Sequence, residues 1–257
     1  MNLEEMKTLC EVGTDELKVL LHRVLVKLNY KEIIHKSDYI IAEGDIPVCL
    51  IAHMDTVFDQ FRKYIYTEDI EWFHDPNANV LWKPMGTGFD DRAGIYAIFQ
   101  IWKLGLRPHV IFTDGEEIGG IGAQQLIQTF SRCPFDVCNF LLQLDRKGYN
   151  DAVFYQCDNK NFVKYIESFG FKEAYGTFSD ISFIAPQWGI AAVNLSIGYM
   201  DEHTESERLY CDFCDETIEK VKKILIQVQK KKDRAKNFIY IPKDIRKMTK
   251  ADTVIGF

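Results

Sequence analysis

Apolar residues recur along the chain with two periods, and the alternation of those periods predicts its architecture. From 15 to 29, DELKVLLHRVLVKLN places Leu17, Leu20, Leu21, Val24 and Leu28 on one helical stripe, with Thr14 as its N-cap. DYIIAE at 38–43 and VCLIAH at 48–53 are short apolar runs parted by Gly44 and Pro47. They predict two strands joined by a tight turn, the second and more continuous one central in a sheet. An irregular stretch of aromatic and polar residues leads to a Gly86-Thr87-Gly88 loop; RAGIYAIFQIWKL at 92–104 then reads as a helix and PHVIFTD at 108–114 as a buried strand. Strand, helix, strand implies a crossover, hence an α/β fold with a mixed, mainly parallel sheet. A helix at 121–130, strands at 140–145 and 152–156, a helix at 160–169, a last core strand within 189–198 and a closing helix at 213–230 continue the pattern. Residues 231–257 carry apolar side chains without a clear period and are expected to be a tail docking on a single domain formed by 1–230.

Composition narrows the class. A chain of 257 residues, 47% of them hydrophobic, buries a sizeable core. No run of about twenty uncharged apolar residues occurs, and the start MNLEEMKTLC lacks a secretory signal, so a cytoplasmic protein without a membrane partner is expected. A net charge of -7 argues against nucleic acid as a partner. The basic run Lys230, Lys231, Lys232, Arg234 and Lys236 is expected to be a solvated helix end. Seven scattered cysteines, an odd number, argue against a disulfide framework and for a reducing compartment. The Cys211-x-x-Cys214 pair is read as packing at a helix start, ahead of a zinc knuckle or a redox pair.

The chemistry lies in where acidic and histidine residues fall. His53 and Asp55, Asp90 and Asp91, Glu116 and Glu117, Asp145, and His203 all sit at the carboxyl ends of predicted strands or in the loops that follow, the edge where open α/β sheets form sites. His53 and Asp55, two apart in an extended segment, share a face, so Asp55 can orient the ring of a metal-binding His53. Asp90 and Asp91 follow a Gly-rich turn and open a helix; they suit either an ordinary helix start or a carboxylate bridging two ions. Glu116 and Glu117 can divide the work, one binding metal and the other moving a proton. Two histidines with several carboxylates make a nitrogen and oxygen ligand field suited to zinc, manganese or cobalt at a hydrolytic site.

Five segments in order resemble the co-catalytic di-zinc exopeptidase superfamily of aminopeptidases, carboxypeptidases and aminoacylases. AHMDTV (52–57) resembles its H-x-D segment, GTGFDDRAG (86–94) its Gly-rich Asp-Asp segment, and TDGEEIGGIGA (113–123) its paired-glutamate segment. LD (144–145) resembles its isolated Asp, and HTESE (203–207) its closing His. The resemblance implies a three-layer α/β/α fold and two divalent metal ions, zinc first, with cobalt or manganese as alternatives. It implies that His53 and Asp145 hold one ion, Glu117 and His203 the other, and Asp90 both; that Glu116 is general base and acid; that Asp55 orients His53; and that the Asp90-Asp91 peptide is cis. Only 58 residues separate Asp145 from His203, too few for the lid or dimerisation domain that some members insert there. A single compact catalytic domain is therefore expected. GTFSDISFI (176–184) resembles a segment near the substrate pocket of compact members, making Asp180 a candidate wall residue; Arg92, Tyr199 and Arg208 are further substrate-side candidates by proximity in sequence. The expected reaction is hydrolysis of an amide bond in a small peptide or N-acyl amino acid, most of all as an aminopeptidase. A deacylase of non-peptide amides, another di-metal hydrolase, and a non-catalytic protein that keeps the fold are the alternatives, and oligomeric state stays open. His22, His35, His74 and His109 match no segment and read as structural or surface residues.

Overall fold

IPVCLIAH forms β3 (Ile46–His53) at the centre of the molecule. Its alternate residues serve two cores: Val48, Leu50 and Ala52 pack into one cluster, Cys49 and Ile51 into the other. The same division recurs on β6 (Pro108–Thr113), where Val110 and Phe112 oppose Ile111, so both sheet faces are apolar and both must be covered. The computed structural model describes residues 1–58, 71–230 and 237–244.

The other strands of the main sheet are β1 (Lys31–His35), β2 (Tyr39–Glu43), β7 (Leu141–Arg146), β8 (Asp151–Val153), β9 (Lys172–Ala174) and β10 (Ala192–Ser196). Their order is β1-β2-β6-β3-β7-β10-β8-β9. The central run β6-β3-β7-β10 is parallel throughout, and antiparallel pairs join β2 to β6, β1 to β2 and β8 to β10. One face is covered by α1 (Leu3–Glu11), α2 (Thr14–Lys27), α3 (Phe89–Lys103), α5 (Lys160–Glu167) and α7 (Cys211–Lys230), which contribute to the larger core. The other is covered by α4 (Ile121–Thr129) and α6 (Ile181–Trp188). This is the expected three-layer architecture with a mixed, mainly parallel sheet. Burying one Leu or Ile of such a core contributes about 1.5–3 kcal/mol. A small antiparallel sheet, β11-β12-β5-β4, lies beside it, built from β4 (Phe73–Asp75), β5 (Val80–Trp82), β11 (Tyr199–Met200) and β12 (Arg208–Tyr210).

Several local expectations are corrected. The strands at 39–43 and 46–53 are not a hairpin: β6 inserts between them, and Gly44 is needed because a Cβ there would overlap the Arg107 and Pro108 carbonyl oxygens. Gly13, not Thr14, is the N-cap of α2, and the Thr14 hydroxyl donates instead to Met54 O at 3.2 Å. Helices α1 and α6 were not expected; α6 runs through Pro186. Cys211 opens α7 and is buried with Cys214, both as free thiols, in keeping with packing. Beyond α7, residues 237–244 lie on the body: Phe238 is buried, its N–H donates to Asn139 O, and its carbonyl accepts from Ala191 N–H. The basic run from Lys231 to Lys236 falls outside the described residues. No described helix is long and apolar enough to cross a membrane.

Candidate metal centre

The parallel run β6-β3-β7-β10 brings the ends of strands far apart in sequence to one edge. His53 closes β3, Asp145 lies near the end of β7, and Glu116 and Glu117 follow β6. Asp90 and Asp91 open α3 across a cis peptide bond, and His203 sits in the loop after β11 with a positive φ of 62°. Gly94 permits the closeness of α3 to β7, since a Cβ there would overlap the Leu144 carbonyl oxygen one residue before Asp145.

The side chains interlock through Asp90. Its Oδ1 lies 2.9 Å from His53 Nε2, and its Oδ2 lies 3.3 Å from His203 Nε2. Each of these imidazole nitrogens has a second carboxylate within 3.4 Å: Asp145 Oδ1 at 3.4 Å from His53 Nε2, and Glu117 Oε2 at 2.9 Å from His203 Nε2. One carboxylate thus faces two separate His-carboxylate pairs, the donor arrangement that two adjacent cations require. Ligand atoms of His53, Asp90 and Glu117, and of His53, Asp91 and Asp145, all fall within 4.8 Å of one another. Asp91 is the weaker candidate ligand because its oxygens already accept from the main-chain N–H groups of His53 (3.2 Å) and Gly94 (2.9 Å).

Electrostatics point the same way. Seven carboxyl groups (Asp55, Asp90, Asp91, Glu116, Glu117, Asp145 and Asp180) gather around two imidazoles. Burial, then the Asp145 charge, pushes Glu116 up to about 9. Burial raises Asp145 to about 7. Burial also acts upward on Asp90, but hydrogen bonds from His203 and His53 outweigh it and hold this carboxyl below the usual range. Hydrogen bonds to Asp90 and Glu117 raise His203 to about 10. Glu117 Oε1 is buried with no protein partner. So much like charge with an orphaned acceptor is the environment a divalent cation neutralises, and the donor set fits zinc, cobalt or manganese.

A surrounding layer of donors aims these groups. Asp145 accepts from Gln143 Nε2 (2.9 Å) on Oδ2 and from the Tyr199 hydroxyl (3.2 Å) on Oδ1, while Asn194 brackets its main-chain N–H and carbonyl at 3.0 Å each. Gln143 and Asn194 occupy inward strand positions that are otherwise apolar, a signal visible in LLQLD and AVNLS. Glu207, fully buried, accepts from Thr87 Oγ1 (2.6 Å) and from the main-chain N–H groups of Thr87 (3.2 Å), Gly88 (2.6 Å) and Asp90 (3.0 Å). It clamps the Gly-rich loop that presents Asp90. Asp55 differs from expectation in detail. His53 Nδ1 bonds its main-chain oxygen at 2.9 Å, with the carboxylate at 3.5 Å, and that carboxylate chiefly accepts from the N–H groups of Glu116 (3.1 Å) and Glu117 (3.2 Å).

Of the substrate-side candidates, Tyr199 thus joins the centre by holding Asp145. Asp180 is buried at its base, its Oδ2 accepting from Thr113 Oγ1 at 2.5 Å and its Oδ1 without a protein partner. Arg92 is committed elsewhere: it is fully buried and donates to Val12 O (3.2 Å) and Thr14 Oγ1 (3.4 Å) at the α1–α2 junction. Arg208 pairs with Asp201 at 2.9 Å on the small sheet. Proximity in sequence misled here because strand alternation and helix rotation turn neighbouring residues to different faces. Of the four histidines without a segment, His109 is buried between Gly44 N–H and Val137 O, His22 and His35 lie ring to ring, and His74 bonds Asn79.

No protein-family model matches the chain, and no curated protein matches it in sequence. Solved structures do match in shape. The chain is similar to aminopeptidase PepT from Bacillus cereus (14% identity, TM-score 0.68, covering 88% of this chain and 98% of that one). It is similar to a tripeptidase from Staphylococcus aureus (14%, TM-score 0.70, 89% and 98%). A TET aminopeptidase from a marine sediment archaeon of the Thaumarchaeota is a third (15%, TM-score 0.62, 89% and 98%). The chain has the aminopeptidase fold. At this identity the likeness concerns the fold, and it agrees with the co-catalytic exopeptidase resemblance carried by the five sequence segments. Within that fold, the charged edge described above gathers His53, Asp90, Glu117, Asp145 and His203.

Proposed function

We propose that the protein is a metal-dependent exopeptidase of aminopeptidase type, acting on small peptides or N-acyl amino acids, with residues 1–230 as its catalytic unit. The observation that carries this reading is Asp90 facing His53 with one oxygen and His203 with the other, each histidine backed by its own carboxylate. In this reading His53 and Asp145 hold one divalent cation, His203 and Glu117 the second, and Asp90 contributes to both. Zinc is the first choice and cobalt or manganese the alternatives. When bound, the cations would polarise the substrate carbonyl and offset the negative charge that builds up on its oxygen.

The chain's own residues supply the rest. Glu116 takes a proton from the attacking water and delivers it to the departing amine, a role that needs a carboxyl raised towards neutrality. Burial and the Asp145 charge push it in that direction, and positive charge nearby would bring it back down from about 9. Asp55 fixes the turn bearing Glu116 and Glu117 through their main-chain N–H groups. Glu207 and Gln143 hold Asp90 and Asp145 in place.

The test is turnover of a panel of di- and tripeptides, aminoacyl anilides, N-acyl amino acids and phosphate esters by the chelator-treated protein, before and after zinc, cobalt or manganese is restored. Metal-restored release of amino-terminal residues is expected. Hydrolysis of the phosphate esters alone, or turnover that persists without metal, contradicts the proposal.

A further inference from the structure

An apolar surface flanks the proposed metal centre on one side. Glu116 and Glu117 belong to a tight turn, in which the main-chain N–H groups of Gly119 (3.0 Å) and Gly120 (3.1 Å) donate to Glu116 O and that of Ile121 donates to Gly115 O (2.9 Å). The turn leaves Ile118 at its tip, 72% exposed, directly after Glu117. Phe178, 39% exposed, comes from the segment that leads into α6. Glycines let the two segments close on each other. A Cβ on Gly120 would lie 2.8 Å from the Phe183 ring and 3.0 Å from that of Phe178, and one on Gly115 would lie 3.0 Å from Ile121 and 3.5 Å from Ile118. Phe178 and Phe183 meet edge to face, ring centroids 5.6 Å apart. Ile118, Ile121, Phe178 and Phe183 thus form one apolar rim at the amino-terminal ends of α4 and α6.

The rim is tied to the groups that hold Asp145. Phe178 O accepts from the Tyr155 hydroxyl (3.0 Å), which in turn accepts from Asn194 Nδ2 (3.1 Å). Ser179 Oγ donates to Gln143 Oε1, and Gln143 Nε2 donates to Asp145. The other exposed loop of the centre, from Asp201 to Ser206 around His203, carries only polar side chains. Exposed apolar residues gathered beside a site mark a surface that a ligand covers, and that ligand must also suit the charge next to it. The seven carboxyl groups of the centre outnumber the charges of two divalent cations, so the site attracts an ammonium group and repels a carboxylate.

We propose that this rim receives the side chain of the substrate's amino-terminal residue, so that the preferred substrates are small peptides that carry a free amine and begin with leucine, isoleucine, methionine or phenylalanine. The amine and the side chain of such a residue sit on one carbon, and the negative centre and the apolar rim lie side by side to take them together. Alanine is too small to cover the rim, and lysine or glutamate would bring a charge onto it. This inference rests on the exopeptidase reading and narrows its substrate class.

The experiment takes two readouts on the metal-restored native chain: kcat/KM for leucyl, phenylalanyl, alanyl, lysyl and glutamyl anilides, and binding of free L-leucine and L-alanine followed by saturation-transfer NMR. The leucyl and phenylalanyl anilides should exceed the alanyl one by about tenfold and the charged ones by more, and leucine should bind more tightly than alanine. Phe178→Ala should erase most of that margin. Ile118→Glu should lower the leucyl rate and raise the lysyl rate, a gain that a misfolded chain cannot show. Leucyl turnover no better than alanyl, or a margin that survives both substitutions, overturns the proposal. So do variants that alter only the sedimentation of the protein, which would make the rim a contact between copies of the chain. If no anilide is hydrolysed, the exopeptidase reading fails by itself. Leucine binding that is lost in Ile118→Glu then still supports the rim as an apolar side-chain subsite, and absence of leucine binding overturns it.

Discussion

The two halves of the proposed metal centre share Asp90 but are built differently. The His53 half is inside the protein: its imidazole is 1% exposed, and Asp145 beside it is held by Gln143, Tyr199 and Asn194. The His203 half is at the rim: its imidazole is 51% exposed on a loop, and Glu117 has one buried oxygen without a protein partner. Preorganised ligands bind tighter because less freedom is lost and fewer groups must be reoriented. In the proposed reading the inner half is therefore the tight site and the rim half the exchangeable one, with Glu116 acting between them.

The largest effect tests what the halves have in common. Glu116→Gln is expected to lower kcat by about 10²–10⁴ while both ions stay bound, as read by steady-state kinetics beside metal analysis; loss of metal in this variant would make Glu116 a ligand instead. Next comes the contrast itself. In metal-free protein His53→Ala leaves buried carboxylates without their buried partner and should cost about 3–5 kcal/mol, whereas His203→Ala removes a half-exposed partner of Asp90 and Glu117 and should cost less, about 1–2 kcal/mol. Equal losses in denaturant melts would erase the distinction between inner and rim halves. More finely, Tyr199→Phe should weaken the tight site about tenfold and leave the rim site unchanged, because its hydroxyl donates to the inner carboxylate, Asp145.

The smallest effect concerns a histidine remote from both halves. Burial lowers His109 from its ordinary value near 6.5, and its Nδ1 accepts from Gly44 N–H, which requires the neutral ring. A proton therefore binds the unfolded chain more readily than the folded one. The stability this group contributes is complete above about pH 6.5 and is lost as pH falls below it. Melting temperatures measured from pH 7.5 downwards should fall more steeply for the wild-type chain than for His109→Gln; parallel curves would show that His109 carries no such linkage.

The inner half was the more legible part of the sequence. His53 and Asp145 terminate continuous apolar runs, VCLIAH and FLLQLD, and a polar residue closing a buried strand of a parallel sheet lies at the edge where sites form. Asp90, Glu116 and Glu117 stood out as pairs beside glycines. Less was legible where partners are remote. Glu207 is one acid among several in DEHTESE, and only the fold brings it to Thr87, Gly88 and Asp90, more than a hundred residues earlier. The insertion of β6 between β2 and β3 is likewise long-range, whereas a hairpin is the local expectation. Strands β9, β11 and β12, of two or three residues, are too short to establish a period. Arg92 was misassigned because the first turn of α3 carries both the centre and the packing against α1 and α2.

The central claim, one bridging carboxylate between a tight and an exchangeable cation, is tested most directly by calorimetric titration of zinc into metal-free protein. The account predicts two ions per chain in two resolved steps, with His203→Ala abolishing only the weaker step and Asp90→Ala disrupting both. A single ion per chain, or two whose binding is unchanged by Asp90→Ala, would contradict it.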